Sequence, residues 1–206
     1  MMKPTNSDAR SPTSEPRPPT SDPLSHTYCV IMAGGKGERF WPLSADSMPK
    51  PFLKLTGDKT MIQLTVERLL GIVPRERVFV VLGEAHVAVA RAQLPDLPPG
   101  NFIVEPEGRD TAPCIGYAAI WLLRNDPEAV MVVLPADHYI PDVDRFSKTV
   151  VRGVGIAVSG HYLVTIGIKP VRPETGYGYI RAHEAFSASK DGLCFKVEKF
   201  VEKPDL

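Results

Sequence analysis

The sequence predicts an α/β fold, with a mainly parallel sheet flanked by helices and, after residue 170, a smaller β-rich lobe. Short runs rich in Val, Ile and Leu alternate along the chain with segments whose apolar residues recur at helical spacing. These runs are apolar over almost their whole length, which is typical of parallel strands buried on both faces. The alternation and the apolar strands together predict the layered architecture.

The predicted elements follow one another in a regular order. Strands are expected at residues 28–33, 77–82, 102–104, 129–134 and 161–168, and helices at residues 60–73, 84–94, 111–124 and 146–158. Two further strands, around residues 176–180 and 195–197, belong to the smaller lobe. Ligands of parallel α/β sheets bind beyond the carboxyl ends of the strands. Distinctive tripeptides follow the first, third and fourth strands, so the functional site is expected at this edge.

The composition is that of an ordinary globular domain. The 206 residues are 43% hydrophobic and 23% charged, and the formal net charge is zero. A neutral chain has no general basic field to attract nucleic acid, and no apolar run is long enough to span a membrane. We therefore expect no nucleic-acid or membrane partner and a cytoplasmic location, while homo-oligomer formation is left open.

The first 27 residues differ from the rest of the chain. Six prolines alternate there with Ser, Thr, Asp and Arg, so we expect a disordered tail at residues 1–27 and one domain at residues 28–206.

The cysteines, Cys29, Cys114 and Cys194, lie in apolar stretches without metal-binding spacing. Buried free thiols in a reducing compartment are the favoured interpretation.

The most informative segment begins where the first strand ends. It combines a cluster of glycines with two basic side chains, namely Ala33, Gly34, Gly35, Gly37, Arg39 and Lys50. Glycines let backbone N–H groups approach an anion, so the loop suits a polyphosphate. A glycine-rich turn with a solvated basic rim would explain a lone cluster equally well. Phe40 replaces the third glycine of a dinucleotide fingerprint, and no Walker A lysine is present.

The pattern G-G-x-G-x-R-F-x-P at residues 34–42, followed by P-K-P-F-L at residues 49–53, resembles the signature of the sugar-nucleotide pyrophosphorylases. The F-W-P-L-S form at residues 40–44 is most similar to that of the mannose-1-phosphate guanylyltransferases. The resemblance implies a Rossmann-like nucleotide-diphospho-sugar transferase fold, with GTP, mannose 1-phosphate and Mg²⁺ or another divalent cation as ligands. It also implies nucleotide contacts from residues 33–37 and catalytic roles for Arg39 and Lys50.

Residues 105–113, E-P-E-G-R-D-T-A-P, lead into the third predicted helix. Asp110 or Thr111 can cap that helix, which is a sufficient structural explanation. The resemblance implies more, because this stretch lies beside guanine and ribose in the guanylyltransferases, and Glu105, Asp110 and Thr111 would then bind nucleotide. Asp110 stands where the family usually has Asn, and an ionised Asp can only accept hydrogen bonds.

Asp137, in L-P-A-D-H, follows the fourth strand. A turn aspartate is the plain explanation, whereas the resemblance implies a magnesium ligand, with a second aspartate supplied further downstream. Mg²⁺ prefers carboxylate oxygens and completes its shell with water and substrate phosphates. His138 has no partner at metal-ligand spacing, so a local hydrogen bond is expected for it.

Two motifs near the end of the chain complete the resemblance. Residues 175–180, T-G-Y-G-Y-I, could be a plain β-bulge, but the resemblance implies that Gly178 lets the sugar approach the backbone. In F-V-E-K-P at residues 200–204, Glu202 would accept hydrogen bonds from the sugar and Lys203 would pair with its phosphate.

The resemblance therefore implies GDP-mannose synthesis from GTP and mannose 1-phosphate, with release of pyrophosphate. Family catalytic domains continue beyond the last motif, so the sugar-binding lobe is expected to be incomplete and the domain truncated. Two alternatives stay open: a nucleotide-binding piece or regulatory partner without turnover, and an enzyme of the same chemistry for another sugar 1-phosphate or nucleotide.

Overall fold

A parallel sheet of four strands forms the centre of the part of the chain that the structure describes. The computed structural model describes residues 22–34, 48–160, 162–189 and 192–203. The strands are β1 (Thr27–Met32), β2 (Val78–Gly83), β3 (Phe102–Glu105) and β4 (Val130–Pro135). Their order is β3-β2-β1-β4, and each neighbouring pair is parallel. The predicted parallel sheet is confirmed.

Helices cover both faces of this sheet, because successive strand residues point to opposite sides. The helices are α1 (Met61–Leu69), α2 (Val87–Gln93), α3 (Thr111–Leu123) and α4 (Val143–Gly160). Ile31 of β1 belongs to one apolar cluster with α1, α2 and α4, whereas its neighbour Val30 belongs to a second cluster with α3. Both side chains are fully buried, and each such burial stabilises the fold by about 1.5–3 kcal/mol.

Local hydrogen bonds set where the helices begin. At the start of α1, the Thr60 N–H donates to the Gln63 side chain at 2.9 Å. At the start of α4, the Arg145 N–H donates to the Asp142 carboxylate, also at 2.9 Å. This cap starts α4 three residues before the predicted position, residue 146.

None of the helices in the described ranges is long and apolar enough to cross a bilayer.

A separate antiparallel pair follows the sheet. It consists of β5 (Gly178–Ser189) and β6 (Gly192–Glu202), with Gly178 opposite Glu202. The predicted β-rich element is confirmed in this form. The prediction of a strand at residues 161–168 is wrong, because residues 162–170 form no strand. An apolar run becomes a strand only where a neighbour pairs with its backbone, and periodicity cannot show whether one is there.

Residues 22–26, which the sequence analysis assigns to the tail, precede β1 in the described part of the chain. Residues 23–26 form a turn and β1 begins at Thr27, whose hydroxyl donates to the Pro23 carbonyl at 3.1 Å. The division into a tail and one domain stays a prediction. The rest of the predicted tail, residues 1–21, lies outside the described residues.

Candidate functional site

The loops that follow β1 and β4 meet at the carboxyl edge of the sheet. The Ala33 N–H donates to the Val81 carbonyl at 2.8 Å, and the Ala136 N–H donates to the Met32 carbonyl at 3.1 Å. Ala33, a predicted nucleotide-binding residue, is buried and leads directly into Gly34. The sheet thus fixes the starting points of the glycine loop and of the loop that carries Asp137.

Lys50 and Asp137 form an ion pair at this edge. Lys50 Nζ lies 3.1 Å from Asp137 Oδ2, and the two side chains are 23% and 36% exposed. Lys50 is held by a short 3-10 turn, residues 50–52, which the buried ring of Phe52 anchors in the core. The structure therefore brings a predicted catalytic cation and the predicted metal ligand together, within reach of solvent and substrate.

Asp137 offers a single carboxylate to a metal ion. In the described ranges, no group of three or more His, Cys, Asp or Glu side chains could hold one. This donor set fits Mg²⁺, which readily takes water and substrate phosphate oxygens as its remaining ligands, and does not fit Zn²⁺. The Asp137 carboxylate already has one cationic neighbour, the ammonium of Lys50, at the distance of an ion pair.

Glu105 lies directly beside the first loop glycine. Its side chain is 8% exposed, and its Oε2 would lie 3.0 Å from a Cβ atom added to Gly34. Burial, and after it the negative charge of nearby Glu105, raises the pKa of the Cys114 thiol in α3 to about 12. Cys114 therefore stays a neutral thiol near Glu105, a neighbour that the sequence did not signal.

Gly34→Ala is expected to weaken nucleotide binding with little loss of stability. The added methyl group would press against the carboxylate of Glu105, a residue only 8% exposed, so Glu105 must shift by a few tenths of an ångström. Gly83→Ala is the matched control, because a Cβ atom at Gly83, at the end of the neighbouring strand, meets nothing within 4 Å. GTP affinity measured by calorimetry should fall for Gly34→Ala alone; equal affinities for the two variants would contradict the expectation.

Asp110 occupies the cap position of α3 but does not cap it. Its side chain makes no capping hydrogen bond, and its backbone has φ 60° and ψ −170°. This conformation is rare for residues other than glycine and is typically retained at functional sites. The capping interpretation of Asp110 is therefore wrong, and Thr111 begins the helix as its first residue. The N–H groups at this helix end are left without a side-chain cap from Asp110.

Gly178, Glu202 and Lys203 lie together at the end of the β5–β6 pair. Glu202 Oε2 would lie 2.7 Å from a Cβ atom on Gly178, and Lys203 Nζ lies 3.5 Å from Glu202 Oε1. The Lys203 N–H donates to the Tyr177 carbonyl at 3.2 Å. In the described part of the chain, Lys203 has its side-chain ion pair with Glu202 and none with Asp137.

Three of the predicted site residues in the glycine loop, Gly35, Gly37 and Arg39, lie outside the described residues.

Gly34, Lys50, Glu105 and Asp137 thus lie at the carboxyl edge of a parallel sheet, the edge at which α/β domains of this class bind their ligands. A family model described as Nucleotidyl transferase matches residues 28–206. The chain belongs to the nucleotidyl transferase family. Members of this family generally use a divalent metal ion.

Similar proteins agree with this membership. The chain is 47% identical to a mannose-1-phosphate guanylyltransferase of Escherichia coli strain K12 and 45% identical to one of Salmonella montevideo, over 88% and 86% of its length. A solved structure from Thermus thermophilus, described as mannose-1-phosphate geranyltransferase, has a TM-score of 0.78 at 39% identity and covers 87% of this chain and 51% of its own. The chain spans 38% of the length of the two curated relatives.

Proposed function

We propose that this chain binds GTP and mannose 1-phosphate and forms GDP-mannose and pyrophosphate. The observation that carries the proposal is the ion pair of Lys50 with Asp137, in which a cation faces a partly exposed carboxylate at the carboxyl edge of the sheet. The similarity to mannose-1-phosphate guanylyltransferases supports the choice of sugar and nucleotide. The cytoplasmic location stays a prediction, and homo-oligomer formation stays open.

The reaction is an in-line displacement at the α-phosphorus of GTP. A phosphate oxygen of mannose 1-phosphate forms the new P–O bond, and the bond from the α-phosphorus to the bridging oxygen breaks, so that pyrophosphate leaves. The attacking oxygen is already anionic at neutral pH, and no general base is needed. The protein contributes by positioning the two substrates and by offsetting their charges.

Each predicted residue has one part in this reaction. Arg39 and the loop amides would hold the leaving pyrophosphate, while Lys50 would offset the repulsion between the two phosphate-bearing substrates. Asp137 would hold a divalent ion, which supplies charge neutralisation on the nucleotide phosphates. Glu105, which is buried beside Gly34, would accept hydrogen bonds from the donors of guanine.

The end of the β5–β6 pair would receive the sugar. Gly178 has no side chain to block the backbone, and Glu202 beside it would accept hydrogen bonds from sugar hydroxyls. Lys203 would leave its ion pair with Glu202 to meet the sugar phosphate. Because this ion pair is exposed, breaking it costs little, about 0–1 kcal/mol.

A second candidate is a nucleotide-binding piece that does not turn over. Two observations favour it: the chain spans 38% of the curated relatives' length, and the β5–β6 pair exposes large apolar side chains, including Phe195, Val197 and Phe200. Such exposed apolar surface is typical of a face that packs against another element.

The test is pyrophosphate release by the purified 206-residue chain with GTP, mannose 1-phosphate and Mg²⁺, with GTP binding measured in parallel. Release that requires all three components supports the proposed reaction. GTP binding without release supports the second candidate. Competition with glucose 1-phosphate and with the other nucleoside triphosphates tests the specificity, and a preference for another pair would contradict the choice of mannose and GTP.

A further inference from the structure

Arg68 is a buried arginine in α1 with no carboxylate partner in the described ranges. It is 6% exposed, its Nε atom is buried without a hydrogen-bond partner, and its guanidinium lies over the ring of Phe146 in α4, 5.8 Å from the centroid. Burial lowers the pKa of Arg68, because the interior disfavours its charged form. Burying a guanidinium without a carboxylate partner costs free energy, so packing alone does not explain why Arg68 lies in the core.

The contacts of Arg68 point to the loop that carries Asp137. Arg68 Nη2 donates to the His138 carbonyl at 3.0 Å and also to the Thr65 hydroxyl. The Thr65 hydroxyl donates to the Met61 carbonyl at 2.8 Å and lies farther, at 3.4 Å, from the Ala136 carbonyl. The direct contact of Arg68 with the loop of Asp137 is therefore its hydrogen bond to the His138 carbonyl, next to the partly exposed Asp137.

We propose that Arg68 is a positioning residue that holds the backbone around Asp137 and so aims its carboxylate at the cation position beside Lys50. The inference rests on the proposed metal-binding role of Asp137. Replacing a buried guanidinium that has no carboxylate partner with an apolar side chain of similar size removes the cost of keeping that charge out of water. A purely structural role would therefore be served as well by methionine, whereas positioning requires the donor at Nη2.

The test compares Arg68→Met with Arg77→Met. Arg77 is a matched control, since its Nη1 donates to the Leu24 carbonyl at 2.9 Å and its guanidinium lies over the Tyr28 ring at 5.9 Å, at the amino end of the sheet. Hydrogen exchange of the peptide that contains residues 136–140 is followed by mass spectrometry. Mn²⁺ affinity of the 206-residue chain is measured by electron paramagnetic resonance, and the melting temperature is recorded.

Arg68→Met is expected to speed exchange at residues 136–140 and to weaken Mn²⁺ binding about tenfold, as is typical when a group that orients a metal ligand is lost. Its melting temperature should not fall below that of Arg77→Met. Arg68→Lys keeps one donor and should recover part of both effects. If Arg68→Met does not fold, Arg68→Leu takes its place, since leucine also lacks a donor. Unchanged exchange and unchanged Mn²⁺ affinity in a folded variant without the donor would overturn the inference.

Asp137→Asn separates this inference from the proposed function. If that variant binds Mn²⁺ as tightly as the parent chain, the metal-binding role of Asp137 is wrong, and with it the assigned purpose of Arg68. If Asp137→Asn weakens Mn²⁺ binding while Arg68→Met does not, the metal-binding role stands and the positioning role falls.

Discussion

Asp137→Asn is expected to reduce pyrophosphate release about a thousandfold, because a metal ion at the phosphates is worth several kcal/mol in the transition state. Asn has the same shape but no charge, so it no longer attracts a divalent cation or Lys50. The side chain of Asp137 is partly exposed, so the fold should tolerate the change. The measurement is steady-state release over a range of Mg²⁺ concentrations, with the melting temperature recorded beside it.

The control for this prediction is Asp96→Asn. Asp96 is also paired with a basic side chain, that of Arg75 at 3.7 Å, but the pair is exposed and lies in a different loop. An exposed pair of this kind contributes about 0–1 kcal/mol at most, so this variant should keep normal activity. Near-normal turnover in Asp137→Asn, with the control equally active, would remove Asp137 from the mechanism.

Lys50→Met should change turnover and metal affinity in opposite directions. Losing a cation that faces the substrate phosphates is expected to lower turnover about a hundredfold or more. Without nucleotide, however, the ammonium of Lys50 competes with a metal ion for the Asp137 carboxylate, from which it lies 3.1 Å away. Mn²⁺ binding to the nucleotide-free chain should therefore become tighter, as electron paramagnetic resonance can show.

Lys59→Met provides the comparison for this variant. Lys59 is exposed and forms an ion pair with Glu67 at 2.7 Å. Replacing it removes one positive charge, as Lys50→Met does, but away from the candidate site. It should change neither turnover nor Mn²⁺ affinity. If Lys50→Met loses Mn²⁺ affinity as Asp137→Asn does, Lys50 supports the metal site rather than competing with the metal.

The strands and their carboxyl edge could be predicted because apolar periodicity reports burial directly. The pairing of Lys50 with Asp137 could not be predicted. Each residue lies in its own loop, and only the sheet order β3-β2-β1-β4 brings those loops together. The early start of α4 had a local signal in Asp142, whose carboxylate caps the Arg145 N–H. The backbone conformation of Asp110 had no such signal, because an aspartate before a helix normally predicts a cap.

Two contacts were hidden for a further reason. Cys114 looks like any buried thiol in the sequence, and Arg68 looks like one polar position on an amphipathic helix. Each lies near a polar group outside its own helix: Cys114 lies near the carboxylate of Glu105, and Arg68 donates to the carbonyl of His138. Patterns of hydrophobicity identify which positions are buried but not which polar group a buried side chain meets.

The position of β1 in the sheet has a consequence for synthesis on the ribosome. β1 is the first of the described strands to be made, yet one of its two neighbours is β4, whose residues 130–135 emerge much later. Until then, one edge of β1 has unpaired N–H and C=O groups, and such edges readily pair with other chains. The nascent chain should therefore depend on chaperones until β4 docks, and that same late event first brings Asp137 to Lys50.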